Sequence, residues 1–151
     1  LMKGTLFLSL GAIFYRIGSV RIDDMQGIAR EMPLTMFAFV IAGLSLIGVP
    51  LTAGFISKWY LLSALFEMGW WPVAVLVLAS SLLAIVYIWR VVEAAYFQQR
   101  PNGAAPVREA PITMLVPIWI LAGANVYFGI DTRLPVGLAA DAARQLLGAG
   151  G

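Results

Sequence analysis

The stretch SLIGVPLTAGFISKWYLL, Ser45 to Leu62, decides how this chain folds. It is apolar enough for a membrane interior, yet it holds three residues that interrupt a helix, Gly48, Pro50 and Gly54, and one cation, Lys58. Pro50 lacks a backbone N–H, and its ring clashes with the preceding turn. The glycines weaken the helix on either side of it. The apolar segment around this stretch runs from Pro33 to Met68, 36 residues. That is too long for one ordinary span of about 20 residues and tight for two spans with a loop. The spacing predicts a single discontinuous helix, about 34–48 and 53–68. Irregular backbone at membrane depth persists only where it is buried in protein or lines a wet cavity, so the break is itself a pointer to a site.

The rest of the chain agrees with a membrane setting. Its 151 residues are 61% hydrophobic and 12% charged, with a mean hydropathy of +0.88. Soluble domains carry about 25% charged residues. Alternating apolar and polar segments of about ten residues, the mark of a membrane β-barrel, are missing. The fold class is therefore all-α integral membrane. The sequence has no cysteine and no histidine, which excludes a disulfide framework and Cys or His metal sites. No run of like charges or basic–aromatic interleaving points to nucleic acid. The opening LMKGTLFLSL is already apolar and has no basic region followed by a cleavage site, so it is not a signal peptide. It reads as the inner part of a spanning helix, and the chain as a C-terminal fragment of a longer protein.

Working outward from the break, Leu1 to Tyr15 forms the exit half of one helix. Arg16 to Met32 is a polar loop with a short surface helix, and Pro33 suits a first helical turn. On the other side, GWWP (Gly69–Pro72) is an interfacial anchor, because Trp prefers the headgroup level. A span follows from Pro72 to Phe97, then a polar loop from Gln98 to Pro111, then a last span from Ile112 to Ile130 that tolerates Pro117. The expectation is about four transmembrane helices, one of them discontinuous. Residues 1–130 form one transmembrane unit, and 131–151, with VGLAADAARQLLG, a short tail with a weakly amphipathic helix. If 33–68 crosses once, loops 16–32 and 98–111 share a side that holds Arg16, Arg21, Arg30, Arg100 and Arg108, against Arg133 and Arg144 on the other. That obeys the positive-inside rule and places both loops in the cytoplasm, the C-terminus opposite; two crossings would leave almost no bias.

Lys58 carries the sharpest chemical signal. A lysine at the bilayer centre costs about 2.5–3.5 kcal/mol on insertion scales. Withdrawal from water disfavours the ammonium over the amine, so such a lysine can take up and release a proton. The break adds free carbonyls and room for water, which Ser45, Thr52 and Ser57 are placed to hold. The bland alternative is a lysine snorkelling to an interface. Against it, Lys58 lies about ten residues, about 15 Å, from the GWW anchor. Lys3 is separated from Arg16 by twelve mostly apolar residues, and function and snorkelling fit it equally well. Arg90 and Glu93, three apart, are expected to form an ordinary ion pair on one helix face. Glu67 beside the Trp pair is expected to be solvated, and Ser80, Ser81 and Asn125 to join helices by hydrogen bonds. No nucleophile–base pair or glycine-rich phosphate loop is present, so no catalytic residue and no cofactor site is expected.

MKGTLFLSLGAIFYRIGSVRIDDMQGIAREMP, LSLIGVPLTAGFISKWYLL and IVYIWRVVEAAYF together resemble the antiporter-like membrane subunits shared by Mrp-type monovalent cation/proton antiporters and respiratory complex I. The resemblance covers about residues 1–98, looks strongest to the D-type member of the Mrp antiporters, and rests most specifically on GxPxTAGFxSK. It implies proton translocation along buried charges, with 33–68 as the family's broken helix, its lysine at Lys58, and the lysine of a His-Ala-x-x-Lys pattern at Lys3. The histidine of that pattern falls before Leu1, and the family's first-half glutamate and lysine also lie outside this chain. A relay from Lys58 through water and hydroxyls to Lys3 is the mechanism it implies. The implied partners are other membrane subunits, the lipid bilayer, protons and Na+ or K+, in a bacterial inner membrane. The chain is then a transporter subunit rather than an enzyme, with no cofactor of its own. Two rivals remain. One is a proton-pumping subunit of an NADH:quinone oxidoreductase or membrane hydrogenase; the other is a structural membrane scaffold that conducts nothing.

Overall fold

The computed structural model describes residues 1–101, 103 and 105–148, without the side chains of 146 and 147; parts of the expected 98–111 loop and 131–151 tail thus lie outside the described residues. Among them every regular element is helical: α1 (Met2–Ile17), α2 (Pro33–Ile47), α3 (Ala53–Glu67), α4 (Trp71–Val92), α5 (Ile112–Ile130) and α6 (Arg133–Gly148). Two 3-10 turns, Ile22–Met25 and Ile28–Arg30, join α1 to α2, and α4 runs on into a π-helical turn, Glu93–Phe97.

The predicted break is present. α2 starts on Pro33, whose missing N–H costs nothing at a first turn, and stops at Gly48, which sits at φ +95° and donates its N–H to the Leu44 carbonyl. Pro50 follows, and Leu51 takes a left-handed φ of +71°, a conformation that costs a non-glycine residue about 1–3 kcal/mol. Thr52 is extended, and α3 begins at Ala53. α2 and α3 run in series. The start of α2 meets Glu109 in the 105–111 segment, and α4 returns so that Ala94 accepts a hydrogen bond from Gly27 at 2.9 Å. The two basic loops therefore lie at one end of the bundle. Arg16 donates to the Glu109 carbonyl at 2.6 and 3.0 Å, and Arg100 pairs with Glu31 at 3.2 Å.

Two helices reach spanning length and apolarity by themselves, Trp71–Phe97 and Ile112–Ile130. α1 has 16 residues and is bent by 81° against the turns that follow it. α2 and α3 have 15 residues each, about 22 Å, and reach across about 30 Å of hydrocarbon only as a pair. The expected four-span layout is thus made of two continuous helices, one broken pair and the shorter α1.

The 16–32 segment departs from expectation. Its helical part is two 3-10 turns, exposed only at Ile22 to Asp24 and at Arg30: Met25, Ile28, Ala29 and Met32 are buried with Ile13, Met36, Phe39 and Ile118 in the main apolar cluster. No helix spans 25–32, because Gly27 sits at φ +67° between the two turns, so the fold of the loop and not a helical period brings these four side chains to the core. The Arg90–Glu93 ion pair does not form among the described residues, where the short cation–carboxylate contacts are Arg21–Asp23, Arg100–Glu31 and Arg144–Asp141. The helix widens into its π turn at Glu93, so the regular three-residue neighbour relation ends there.

Glu109 holds the start of α2. Its carboxylate accepts from the Leu34 N–H at 2.8 Å, the Thr35 hydroxyl at 2.6 Å and the Ala110 N–H at 2.9 Å. A carboxylate there satisfies orphan N–H groups and meets the positive end of the helix dipole. Glu109→Ala is expected to lower stability by about 1–2 kcal/mol. Thermal unfolding of the complete protein in detergent reads this, with Glu67→Ala, on the exposed end of α3, as the unaffected control.

Candidate functional site

Lys58 lies one turn into α3, and its side chain turns back across the break. Its ammonium donates to the carbonyls of Leu46 at 2.7 Å and Ile47 at 2.9 Å, and to the Ser81 hydroxyl of α4 at 2.6 Å. All three N–H bonds are therefore used. The two carbonyls belong to the last turn of α2, where no intrahelical partner exists and where the helix dipole is negative. The break creates these acceptors, and the cation fills them. Gly48 is doubly required. It adopts a positive φ, and a Cβ there would lie 3.0 Å from Lys58 Cδ, in the path of the lysine stem. Among the described residues no carboxylate lies within ion-pair distance of Lys58.

Ser81 also fixes the depth of this group. It is ten residues from Trp71, about 15 Å along α4, so the Lys58 head is far from the Trp70–Trp71 pair at the exposed start of that helix. A lysine snorkelling to that interface would point the other way.

The remaining polar residues of the stretch are distributed around the break rather than gathered on the ammonium. Ser45 is fully buried; its hydroxyl accepts from the Gly54 N–H at 3.1 Å and meets Asn125 Oδ1 of α5 at 2.8 Å. Thr52 closes the turn by donating to the Val49 carbonyl at 2.6 Å. Ser57 is exposed and donates back to the Ala53 carbonyl at 3.2 Å. Pro50 is exposed at the turn. The backbone of the break packs on α5 at Gly129, where a Cβ would fall 2.4 Å from the Leu51 carbonyl oxygen. Lys3 is exposed on α1 and lines a groove with Leu6, Phe7, Leu10, Leu46 and Tyr87. Leu46 is the shared neighbour of the two lysines: it lines this groove, and its carbonyl accepts from Lys58.

Three residues matter more here than the sequence suggested. Ser81 and Asn125 stood out only as polar groups inside apolar helices, consistent with helix joining, and both do join helices. That Ser81 does so through the Lys58 ammonium had no sequence signal, because the two are 23 positions apart. Tyr87 in the groove beside Lys3 had none either.

Chemically, the arrangement is a switchable cap. The ammonium has three donors, and the neutral amine has two donors and one acceptor. A deprotonated Lys58 keeps two donors for the two carbonyls, without the charge that strengthens those bonds, and it holds Ser81 only if that hydroxyl turns its own proton from the Val77 carbonyl onto the amine. Loss of the proton therefore loosens its hold on α2, while gain of one docks it.

The family model described as NADH:quinone oxidoreductase/Mrp antiporter, TM, matches residues 1–84. NADH-quinone oxidoreductase subunit N of Desulforudis audaxviator is 44% identical over 142 residues, 86% of this chain and 28% of that protein. A Na(+)/H(+) antiporter protein of Bacillus subtilis, the D-type member of its complex, is 27% identical over 147 residues, 97% of this chain and 30% of that protein. A chain in the structure of the Mrp complex from a Dietzia species shares the fold, with a TM-score of 0.86 over 96% of this chain and 35% of that one, at 23% identity. A chain of the membrane-bound sulfane sulfur reductase, an archaeal respiratory membrane complex, has a TM-score of 0.78 and 36% identity over 85% of this chain and 21% of that one. The chain spans less than a third of the length of these two curated relatives. Its long apolar helices and these likenesses are those of a multi-pass membrane protein.

Proposed function

Because the chain belongs to the NADH:quinone oxidoreductase/Mrp antiporter transmembrane family, we propose that it works within a proton-translocating membrane subunit of a monovalent cation/proton antiporter complex. Residues 1–130 form part of the translocating domain, and 131–151 an appended tail. The observation that carries this reading is the Lys58 ammonium held on the open end of α2 by Leu46, Ile47 and Ser81. Protonated, it docks; neutral, it loses the charge that strengthens its bonds to the two carbonyls, and Ser81 must reverse its own bond, from the Val77 carbonyl to the amine, to stay in contact. The proton passes along the groove shared with Leu46 and Tyr87 towards Lys3. Ser45, Thr52 and Ser57 hold the break in shape and offer hydroxyls to its water. No bond of a substrate is made or broken, so the chain acts as a transporter subunit and not as an enzyme.

The membrane is a bacterial cell membrane, with the joined basic loops 16–32 and 98–111 on the cytoplasmic side by the positive-inside rule and the C-terminus opposite. Partners are other membrane subunits of the complex and the lipid around it. Exposed Leu76, Leu82, Leu83 and Trp89 on α4 supply apolar surface for either. A second reading rests on the 44% identity to an NADH-quinone oxidoreductase subunit: the same relay within a redox-driven complex that oxidises a reduced carrier. Purification of the complete complex separates them. Small membrane subunits alone support the antiporter; flavin and iron–sulfur subunits support the redox-driven pump.

Ser81→Ala tests the docking step. It removes one acceptor from the ammonium, a charge-assisted bond of about 1.5–3 kcal/mol, so proton exchange in vesicles is expected to slow by roughly tenfold or more. Ser80→Ala is the control. Its hydroxyl is exposed and bonds only the Val77 carbonyl within its own helix, so exchange stays at the wild-type rate. Equal rates for the two variants would count against docking as part of transport.

A further inference from the structure

A cavity of about 620 Å³ lies at the loop end of the bundle, between the first 3-10 turn and the place where α4 widens into its π turn. Arg21, Asp23 and Gln26 wall it from the loop, and Arg90, Glu93 and Gln98 from α4 and the turn that follows. The buried Ala94 also borders it, and the Ala94 carbonyl accepts from the Gly27 N–H, which ties the loop to the helix. The charges around it are barely paired. Arg21 and Asp23 approach to 3.9 Å with side chains 78% and 79% exposed, a contact of little energy. Arg90 and Glu93 form no ion pair among the described residues. The π turn begins at Glu93 and takes it off the regular position beside Arg90, so both charges line the cavity unpaired.

The depth of the cavity narrows what it binds. Arg90 lies 19 residues from Trp71 along α4, about 28 Å, against about 30 Å of hydrocarbon. With the Trp pair at one headgroup level, the cavity lies at the other. Beside it Trp89 and Phe97 are exposed, their ring centres 6.1 Å apart, as aromatic side chains are at an interface. Val86 and Leu83, four and seven residues before Arg90 on the same helix face, are exposed and apolar. A charged recess thus sits above an apolar strip.

We propose that this cavity is a phospholipid headgroup site that takes phosphatidylethanolamine. The phosphate lies on Arg21 and Arg90, the primary ammonium on Asp23 and Glu93, and an acyl chain follows Val86 and Leu83 along α4. The headgroup class follows from the charges. Guanidinium groups donate two parallel N–H bonds to phosphate oxygens. A purely anionic headgroup, such as phosphatidylglycerol, would set its charge against two carboxylates. The quaternary ammonium of phosphatidylcholine has no N–H to give them. An ethanolamine head supplies both the phosphate and the N–H donors, and its charges cancel as those of the two arginines and two carboxylates do.

Lipid titration of the delipidated complete complex, read by native mass spectrometry, tests this with phosphatidylethanolamine, phosphatidylcholine and phosphatidylglycerol of equal chain length. Each variant is compared with the wild type, so lipids held elsewhere on the complex cancel. Arg90→Ala is expected to lose one bound phosphatidylethanolamine, its affinity falling by about tenfold or more with the charge-assisted contact. Glu93→Gln is expected to weaken phosphatidylethanolamine several-fold and to strengthen phosphatidylglycerol, opposite responses that a loosened loop would not give. Arg90 and Glu93 are both exposed, so neither variant is expected to disturb folding. A loss equal for all three lipids, no loss in Arg90→Ala, or a headgroup preference unmoved in Glu93→Gln overturns the proposal. A wild-type density map adds a check that needs no variant. Phosphate density is expected about 2.8 Å from the Arg90 guanidinium, and a side chain of a neighbouring subunit in that place overturns the proposal. Neither readout depends on transport, so this site and the Lys58 relay stand or fall separately.

Discussion

Lys58→Ala is expected to slow proton exchange across vesicles carrying the complete complex by about 10²-fold or more, the usual contribution of a positioned proton-transfer group. The variant also strips the Leu46 and Ile47 carbonyls of their partner, which costs about 1–3 kcal/mol for each buried group left unpaired. A loss of transport in Lys58→Ala alone is therefore ambiguous between relay and cap. Lys58→Arg resolves it. A guanidinium keeps the charge and donates to the same carbonyls, but it does not deprotonate in proteins. The expected result is a complex that assembles and melts near the wild type yet exchanges protons as poorly as Lys58→Ala. If Lys58→Arg transports normally, the cation is a helix cap only, and the structural-scaffold alternative gains the ground that the relay loses.

Gly54→Ala is the second large effect. A Cβ at Gly54 would lie 1.9 Å from the Ser45 carbonyl oxygen and 2.9 Å from its hydroxyl. The first of these is backbone and cannot swing aside. α3 must move off α2, which breaks the Gly54–Ser45 hydrogen bond and drags Lys58, one turn further on the same face, away from its two carbonyls. The cost is expected to reach or exceed about 3 kcal/mol, the upper range for overpacking. Thermal unfolding and the yield of assembled complex both read it, and transport falls with them. Gly123→Ala is the matched control. A Cβ there meets nothing within 4 Å, and alanine is the better helix former by about 1 kcal/mol, so stability is expected to hold or rise. Equal effects at the two positions would mean that the close contact between α2 and α3 is not what sets the break.

Much of the architecture was open to local reading. Pro33, Gly48 and Pro50 placed the ends of α2 within a residue, because helix termini depend on the chemistry of the few residues beside them. The Trp pair, the apolar runs and the arginines of the two loops gave the order of spans by composition alone. The burial of the 16–32 segment is not legible locally for a physical reason: its charges dominate its average polarity, and its four buried apolar side chains are gathered by a loop that turns at Gly27, not by a helical period.

The site divides in the same way. That a lysine sits at depth beside a helix break follows from residues 45–62 without any structure, since a buried cation and a proline-broken helix are both local facts. What the lysine does there follows only from the folded chain. Its three acceptors lie 12, 11 and 23 positions away, two on the helix before it and one on the helix after it. Asn125 meets Ser45 across 80 positions, and Gly129 receives the backbone of the break from α5. Hydrogen bonds of that kind depend on how helices pack against one another. Sequence spacing sets the face on which each side chain lies, and only the packing decides which faces meet.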